Sequence, residues 1–247
     1  MAASSGLTTS VEGEDHHYLS RVLRYRVGDE FAALDPDGRP VVCSIREIGR
    51  SSLLLDVQYE TSVAEPRGHP NRLEITLIVA LLKGRKMDLV VRQATECGVS
   101  RIIPLRSRHS VSELVDERVA TRTDRWQRIA RAAQQQSGSL GHAKIEEPID
   151  TDTMTSSVAR GEGFVFHEQR LETSENLGTL SLASDRVTLA IGPEGGFADE
   201  EVRRFLSEGF TGVHLGDRVL RSETAVVYAI GAINVLHRRG TELTANQ

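Results

Sequence analysis

The part of the sequence best suited to ligand binding is TLAIGPEGGFADEEV, residues 188–202. It joins an apolar run to an acidic run through a glycine-rich loop, residues 192–196. Glycine lacks the Cβ atom that keeps backbone N–H groups away from a ligand, so this loop allows close approach. No Lys follows the glycines as in a phosphate-binding P-loop, and Glu194 would repel phosphate. The loop therefore predicts a ligand that is neutral or cationic, or one that offers hydroxyls and an amine.

A second stretch with chemically useful residues is LGDRVLRSETA, residues 215–225. Four small or apolar residues interrupt an otherwise polar loop: Leu215, Gly216, Val219 and Leu220. Apolar side chains in a loop need something to cover, so they indicate the wall of a pocket. Beside them, Arg221 and Glu223 are candidates for catalysis, whereas Ser222 and Thr224 are suited to capping the helix that follows.

Both stretches follow apolar runs that are typical of strands. From residue 73 onward, five such runs alternate with helical patterns: RLEITLIVALL, VSRIIPL, EGFVFHE, RVTLAIG and TGVHLG. This alternation predicts an α/β fold with a mostly parallel sheet. Ligands of such sheets bind in the loops at the carboxyl ends of the strands, which is where both stretches lie.

The segments between these strands predict helices. Two expected buried faces are Met87, Val90, Val91, Ala94 and Cys97, then Trp126, Ile129, Ala130 and Ala133. A basic ridge follows the second helix at Arg122, Arg125, Arg128 and Arg131. A third helix is expected at residues 199–209. The last one, residues 223–239, is apolar nearly all round, so the sheet or a second subunit must cover it.

The N-terminal part predicts a different architecture. Residues 15–31 are expected to begin with a helix that Asp15 caps. The apolar side of that helix is Leu19, Val22 and Leu23. Short strands follow, separated by turn signals at residues 35–38 and 49–51, and this spacing predicts a small β-barrel. The polar segment 62–72, with two prolines and one glycine, marks the domain boundary.

Charge is unevenly distributed along the chain. The 247 residues have a net charge of −5, which by itself argues against a nucleic-acid partner. However, residues 72–144 carry 14 Lys or Arg against 7 Asp or Glu, whereas residues 146–186 carry 3 against 9. Such segregation can present a basic face to RNA or DNA on an acidic protein.

Several other classes of site and location are not favoured. Cys43 and Cys97 form no C-x-x-C pair, so both are expected to be buried apolar residues rather than parts of a disulfide or zinc site. His16 and His17 have too few neighbouring ligands, and no metal is expected. The first residues lack the features of a signal peptide, and no apolar run approaches the ~20 residues of a membrane span, so a cytoplasmic protein is expected.

Together these motifs resemble a known family. IGPEGGF, followed by LGDRVLRSETA and a terminal apolar helix, is similar to the SPOUT class of S-adenosylmethionine-dependent RNA methyltransferases. More narrowly, the chain resembles the RsmE family, which methylates N3 of a uridine in 16S ribosomal RNA. Three further stretches carry this narrower resemblance: HHYLSRVLRYRVGDEF, KGRKMDLVVRQATECGVSRIIPL and RWQRIARAAQQQS.

The resemblance implies an architecture that pattern reasoning could not reach. It implies a PUA-like β-barrel RNA-binding domain over residues 1–70 and a SPOUT α/β domain over residues 71–247. In the family, the last segment of the SPOUT domain threads through a loop as a trefoil knot, which holds S-adenosylmethionine. A derivation from periodicity would discard knots because they are almost absent from proteins. The family works as a homodimer with its active site near the subunit interface.

The resemblance, together with the charge and placement of the residues, leads to expected roles for particular residues. The expected cofactor-binding residues are Ile191, Gly192, Pro193, Glu194, Gly195, Gly196, Leu215, Gly216, Val219, Leu220, Thr224 and Ala225. We expect Arg221 to stabilise the uracil anion or its O2 or O4, and Glu194 or Glu223 to orient ligand groups. The expected partner is 16S ribosomal RNA or the small ribosomal subunit. Candidate phosphate contacts are Arg21, Arg24, Arg26, Lys83, Arg85, Lys86, Arg125 and Arg128.

One departure from the family and several alternatives accompany this interpretation. Where the family has an Arg close behind Ser137, this chain has the sequence GSLGH, residues 138–142. The RNA or active-site contact of that Arg is therefore lost or supplied by His142 or Arg131.

Alternatives to this function are a SPOUT methyltransferase acting on tRNA or 23S ribosomal RNA, or a non-catalytic RNA-binding assembly factor. The intact loops argue against the latter. A hydrolase or nucleotide enzyme lacks G-x-S-x-G, H-E-x-x-H and G-K-[ST] motifs.

Overall fold

The computed structural model describes residues 7–35, 40–59, 73–110, 119–137, 143–154, 158–168 and 174–245. The chain divides into two compact units, Met1–Pro70 and Asn71–Gln247. Within the described residues, no helix is both long and apolar enough to cross a membrane.

The N-terminal unit contains an antiparallel sheet in the order β1-β4-β3-β2. Its strands are β1 Leu7–Glu12, β2 Glu30–Leu34, β3 Pro40–Ile48 and β4 Ser52–Tyr59. Alternate residues of β3 and β4 are buried: Val41, Cys43, Ile45, Leu53, Leu55 and Val57. This alternation follows from the two-residue period of a strand with one buried face. Strand β1 was not predicted from the sequence, since only its pairing with β4 defines it.

The first helix differs from its prediction. Helix α1 spans Gly13–His17 and continues as one π-helical segment, Tyr18–Val22, so Asp15 lies inside it and is not its cap. The π segment has i→i+5 hydrogen bonds in place of the i→i+4 bonds of an α-helix. Side chains in and after this segment therefore no longer lie on the face that the α-helical period predicts. As a result Leu19 packs on the core, whereas Val22 and Leu23 are exposed.

The C-terminal unit is built on a parallel sheet in the order β10-β12-β9-β11-β5-β6-β7, with β8 paired to β6. Its longer strands are β5 Glu74–Ala80, β6 Val99–Arg106, β9 Glu162–Phe166, β11 Arg186–Ile191 and β12 Thr211–His214. The short strands β7 Lys144–Ile145, β8 Ile149–Asp150 and β10 Glu175–Asn176 were not predicted. All the ladders are parallel, as the alternation of strands and helices predicted.

Helices cover both faces of this sheet. They are α2 Lys86–Glu96, α3 Val119–Ser137, α4 Asp199–Ser207 and α5 Ser222–Ala245. Helices α2, α3 and α5 share one apolar core, and α4 packs in a second core on the other face. The predicted inward faces of α2 and α3 are buried, except that Cys97 and Ile129 are half-buried. The expectation for Cys97 was therefore wrong, because it follows the last turn of α2 at the edge of the core.

Candidate active site

The glycine-rich loop and the apolar loop lie together at the carboxyl edge of the parallel sheet. They border a cleft of about 580 Å³, part of which is open to solvent. Strands β12, β9 and β11 end here, with Phe166 of β9 paired with both Ile191 of β11 and Val213 of β12. Because neighbouring parallel strands end at the same edge, loops that are distant in sequence converge at this cleft.

Ten of the twelve residues predicted to bind the cofactor line this cleft. They are Ile191, Gly192, Pro193, Glu194, Gly196, Leu215, Gly216, Val219, Leu220 and Ala225. The other two, Gly195 and Thr224, are exposed and do not line it.

Seven further lining residues were missed: Phe166, His167, Glu168, Phe197, His214, Arg218 and Ser222. The first three lie at the end of β9, whose position beside β11 depends on the strand order and not on a local motif. The other four lie within or beside the two quoted motifs, so treating each motif as a continuous lining segment would have found them.

The glycine-rich loop is a tight turn closed by its own backbone. The Gly196 N–H donates to the Pro193 carbonyl at 3.0 Å, and a φ of +70° places Gly196 in the left-handed region. A Cβ atom on Gly192 would lie 3.0 Å from the backbone nitrogen of Phe197, so the turn leaves little room for a side chain there. From outside the turn, Nδ1 of His109 lies 3.1 Å from the Gly196 carbonyl oxygen.

The buried carboxylate of Glu201 anchors the same loop to its neighbours. It accepts hydrogen bonds from the N–H groups of Ala198 and Arg108, both at 2.9 Å, and from the hydroxyl of Thr151 at 2.8 Å. Ala198 is the N-cap of α4, but its side chain has no hydrogen-bond acceptor. Only one half of a capping box is therefore present, in which the Glu201 carboxylate accepts the Ala198 N–H. This carboxylate therefore ties the β11–α4 loop to the β6–α3 loop.

Glu194, at the centre of the turn, is held by the connection between β5 and α2. The Lys86 ammonium donates to its carboxylate at 2.7 Å. Burial raises the pKa of the Glu194 carboxyl, but hydrogen bonds from Lys86 and from the backbone N–H groups of Glu194 and Lys83, together with the Lys86 charge, outweigh it and hold the pKa below its usual value. Glu194 therefore lies at the cleft as a carboxylate that is paired with Lys86.

His214 joins the loop after β12 to the loop after β9. Its Nδ1 accepts a hydrogen bond from the Gly216 N–H at 3.3 Å, and its Nε2 lies 3.1 Å from the Glu168 carbonyl oxygen. A carbonyl can only accept, so Nε2 must carry the proton, and the two contacts together fit the neutral ring. A φ of +109° at Gly216 lets the chain turn directly after this contact.

Two of the three predicted catalytic residues lie beside the cleft and do not line it. Arg221 is exposed just before α5, where its carbonyl accepts the Ala225 N–H at 2.8 Å. Glu223 is half-buried in the first turn of α5, and within the described residues its Oε2 atom has no hydrogen-bond partner. The third residue, Glu194, is the one that lines the cleft.

The residues predicted to contact RNA divide between the two units. Three are exposed in the N-terminal unit: Arg21, Arg24 and Arg26. Three line a second cleft of the C-terminal unit: Lys83, Arg85 and Arg125. Lys86 binds Glu194, and Arg128 is exposed on α3. Residues 138–142, where the family Arg is replaced, lie outside the described residues.

No group of three or more His, Cys, Asp or Glu residues is arranged to hold a metal ion in the described part of the chain. The cleft offers a turn with small residues, apolar walls and two lining carboxylates, Glu194 of the glycine-rich loop and Glu168 after β9. These features suit an organic ligand that carries both apolar and cationic groups.

The fold and the cleft define an α/β protein that binds a small ligand at the carboxyl edge of a parallel sheet. The chain belongs to the RNA methyltransferase family, since the family model for the RNA methyltransferase domain matches residues 69–234. A second family model, for the RNA methyltransferase PUA domain, matches residues 11–58. These matches confirm the resemblance found in the sequence.

Similar proteins of known name agree with this assignment. Ribosomal RNA small subunit methyltransferase E of Bacillus subtilis is 28% identical, over 92% of this chain and 90% of its own. The Synechocystis protein of the same name is 31% identical, over 89% of this chain and 70% of its own. A crystal structure of the Neisseria gonorrhoeae protein of that name, bound to S-adenosyl methionine, superposes with a TM-score of 0.75 at 27% identity and covers 96% of this chain and 94% of its own.

Proposed function

We propose that this protein is an S-adenosylmethionine-dependent methyltransferase that acts on RNA of the small ribosomal subunit. The observation that carries the proposal is the convergence of the glycine-rich and apolar loops on one cleft, in a chain of the RNA methyltransferase family. The cofactor is S-adenosylmethionine, because relatives of the same family bind it and because the cleft suits its chemistry.

The lining residues fit the parts of this cofactor. The turn at Gly192 and Gly196 leaves space for backbone groups to approach a ribose or an amino-acid end. Leu215, Val219 and Leu220 form an apolar wall suited to an adenine. The Glu194 carboxylate lines the cleft while paired with Lys86, and it can accept a hydrogen bond from the ammonium of the cofactor. Apolar walls with a few polar points are usual for such pockets.

When bound, the cofactor supplies an electrophilic methyl group. The chain must then hold an RNA base in line and stabilise the negative charge that appears on the base as its proton passes to solvent water. We assign this stabilisation to Arg221, which is exposed beside the cleft and free to meet RNA. Glu194 and Glu223 orient ligand groups: Glu194 lines the cleft, and Glu223 lies in the first turn of α5 directly after the lining residue Ser222.

The proposed target is N3 of a single uridine in 16S ribosomal RNA. Support comes from the RsmE-like stretches in both units and from relatives named as small subunit methyltransferases. The test is methyl transfer from labelled S-adenosylmethionine to small subunits that lack the modification, beside free 16S RNA, 23S RNA and tRNA. Label on N3 of one 16S uridine is the expected result. Transfer to tRNA or 23S RNA alone, or no transfer despite cofactor binding, would reject the assignment.

The finer architecture of the family also belongs to this proposal. Residues 1–70 would form a PUA-like barrel for RNA binding, and residues 71–247 a SPOUT domain with a trefoil knot at the cofactor cleft. The loop after β12 and the loop after β11 border one cleft, which supports such a threading. A homodimer is supported by α5, where Tyr228 and Val235 are 52% and 57% exposed. Light scattering of the purified protein would give the mass of a dimer.

A further inference from the structure

A second cleft lies on the other side of the connection that holds Glu194. It has a volume of about 780 Å³ including its open part, and it lies between the β5–α2 loop and α3. Leu81, Leu82, Met87 and Trp126 form its apolar floor. We name this feature the basic cleft because Lys83, Arg85, Arg122 and Arg125 also line it.

The charges of the basic cleft are strongly unbalanced. Four cationic side chains face one lining carboxylate, Asp88, which already pairs with Arg125. In the part of the chain that the structure describes, Lys83, Arg85 and Arg122 form no ion pair. Elsewhere in this unit arginines such as Arg101 are paired with carboxylates. Three unpaired cations around one concavity attract an anion with several charges.

The position of the basic cleft connects it to the cofactor cleft. The loop from Lys83 to Lys86 contributes to both: the side chains of Lys83 and Arg85 line the basic cleft, while the Lys86 ammonium holds Glu194. A ligand of the basic cleft therefore lies one loop away from the reacting base of the proposed function.

We propose that the basic cleft binds one nucleotide of the RNA substrate, a residue that flanks the methylated base. Its phosphates contact Lys83, Arg85 and Arg122, and its sugar and base edge lie over Leu82 and Met87. This proposal rests on the proposed function for the identity of the RNA. It adds to that function a formed subsite, which would fix the register of the RNA relative to the cofactor cleft.

The test compares RNA binding by the Lys83→Gln, Arg122→Gln double variant with binding by wild type and by Arg203→Gln. Arg203 is a matched control because it is an exposed cation on α4, across the sheet from the basic cleft. Binding of a 16S RNA transcript is measured at several salt concentrations, and affinity for S-adenosylmethionine and thermal unfolding are measured in parallel. The two single variants are included, so that misfolding of one leaves the other informative.

We expect the double variant to bind RNA roughly tenfold more weakly, with its dependence of log affinity on log salt reduced by about 1.4, or about 0.7 for each lost phosphate contact. Its cofactor affinity and unfolding temperature should match wild type. RNA binding equal to that of Arg203→Gln would overturn the proposal. Equal competition by polyglutamate would assign the cleft to an acidic protein segment and would also overturn it. If the double variant binds RNA more weakly but the wild-type protein transfers no methyl group, the RNA-binding role of the basic cleft is supported and the proposed reaction is rejected.

Discussion

The glycine-rich turn allows one comparison between two identical substitutions three residues apart. In Gly192→Ala, the added methyl group lies 3.0 Å from the Phe197 nitrogen and 3.2 Å from the Gly196 carbonyl carbon, both of them backbone atoms. The backbone at Gly196 and Phe197 must therefore shift by a few tenths of an ångström. In Gly195→Ala, the nearest atom is the His109 Cβ at 3.5 Å, which is an ordinary contact. Gly195 also does not line the cofactor cleft.

The expected magnitude follows from these distances. Overfilling a well-packed site costs about 1–3 kcal/mol. We expect the cofactor to bind only the original shape of the turn, so this cost is taken from binding and corresponds to about 5- to 150-fold weaker binding of S-adenosylmethionine by Gly192→Ala. Gly195→Ala should bind within about twofold of wild type. Calorimetric titration measures both affinities, and circular dichroism checks that both variants are folded. The reasoning fails if Gly192→Ala binds as wild type does, or if Gly195→Ala loses as much affinity.

Substitutions at three further positions test other contacts of the site. Lys86→Met should lower the free energy of unfolding at pH 7 by less than about 1 kcal/mol. Folding lowers the pKa of the Glu194 carboxyl, so the stability difference between wild type and Lys86→Met is present above the ordinary carboxyl pKa and disappears as pH falls through the lowered pKa. Urea titrations at several pH values measure this difference, and a difference that persists in acid would contradict the prediction. Glu201→Ala leaves three donors without their acceptor and should cost on the order of 3 kcal/mol in urea unfolding, with a smaller loss for Glu201→Gln. Arg221→Ala should lower kcat for methyl transfer about a hundredfold or more at unchanged cofactor affinity, and nearly full activity would reject its role.

Local patterns predicted the elements of the C-terminal unit well. The helical period of Met87, Val90, Val91 and Ala94 identified the buried face of α2, because an amphipathic helix buries one stripe. Apolar runs such as residues 186–191 identified the central strands, since strands covered on both faces need no polar alternation. Elements that depend on a partner were missed, among them β1 and the two-residue strands.

The sequence by itself determined the composition of the ligand loops, because the glycines, the carboxylate and the apolar wall residues are chosen by local backbone and contact requirements. Tertiary structure alone decided what shares the cleft with them. Phe166 and Glu168 are there because β9 lies between β11 and β12, and Lys86 meets Glu194 across 108 positions of sequence. Such contacts depend on strand order and loop placement, which no local period encodes.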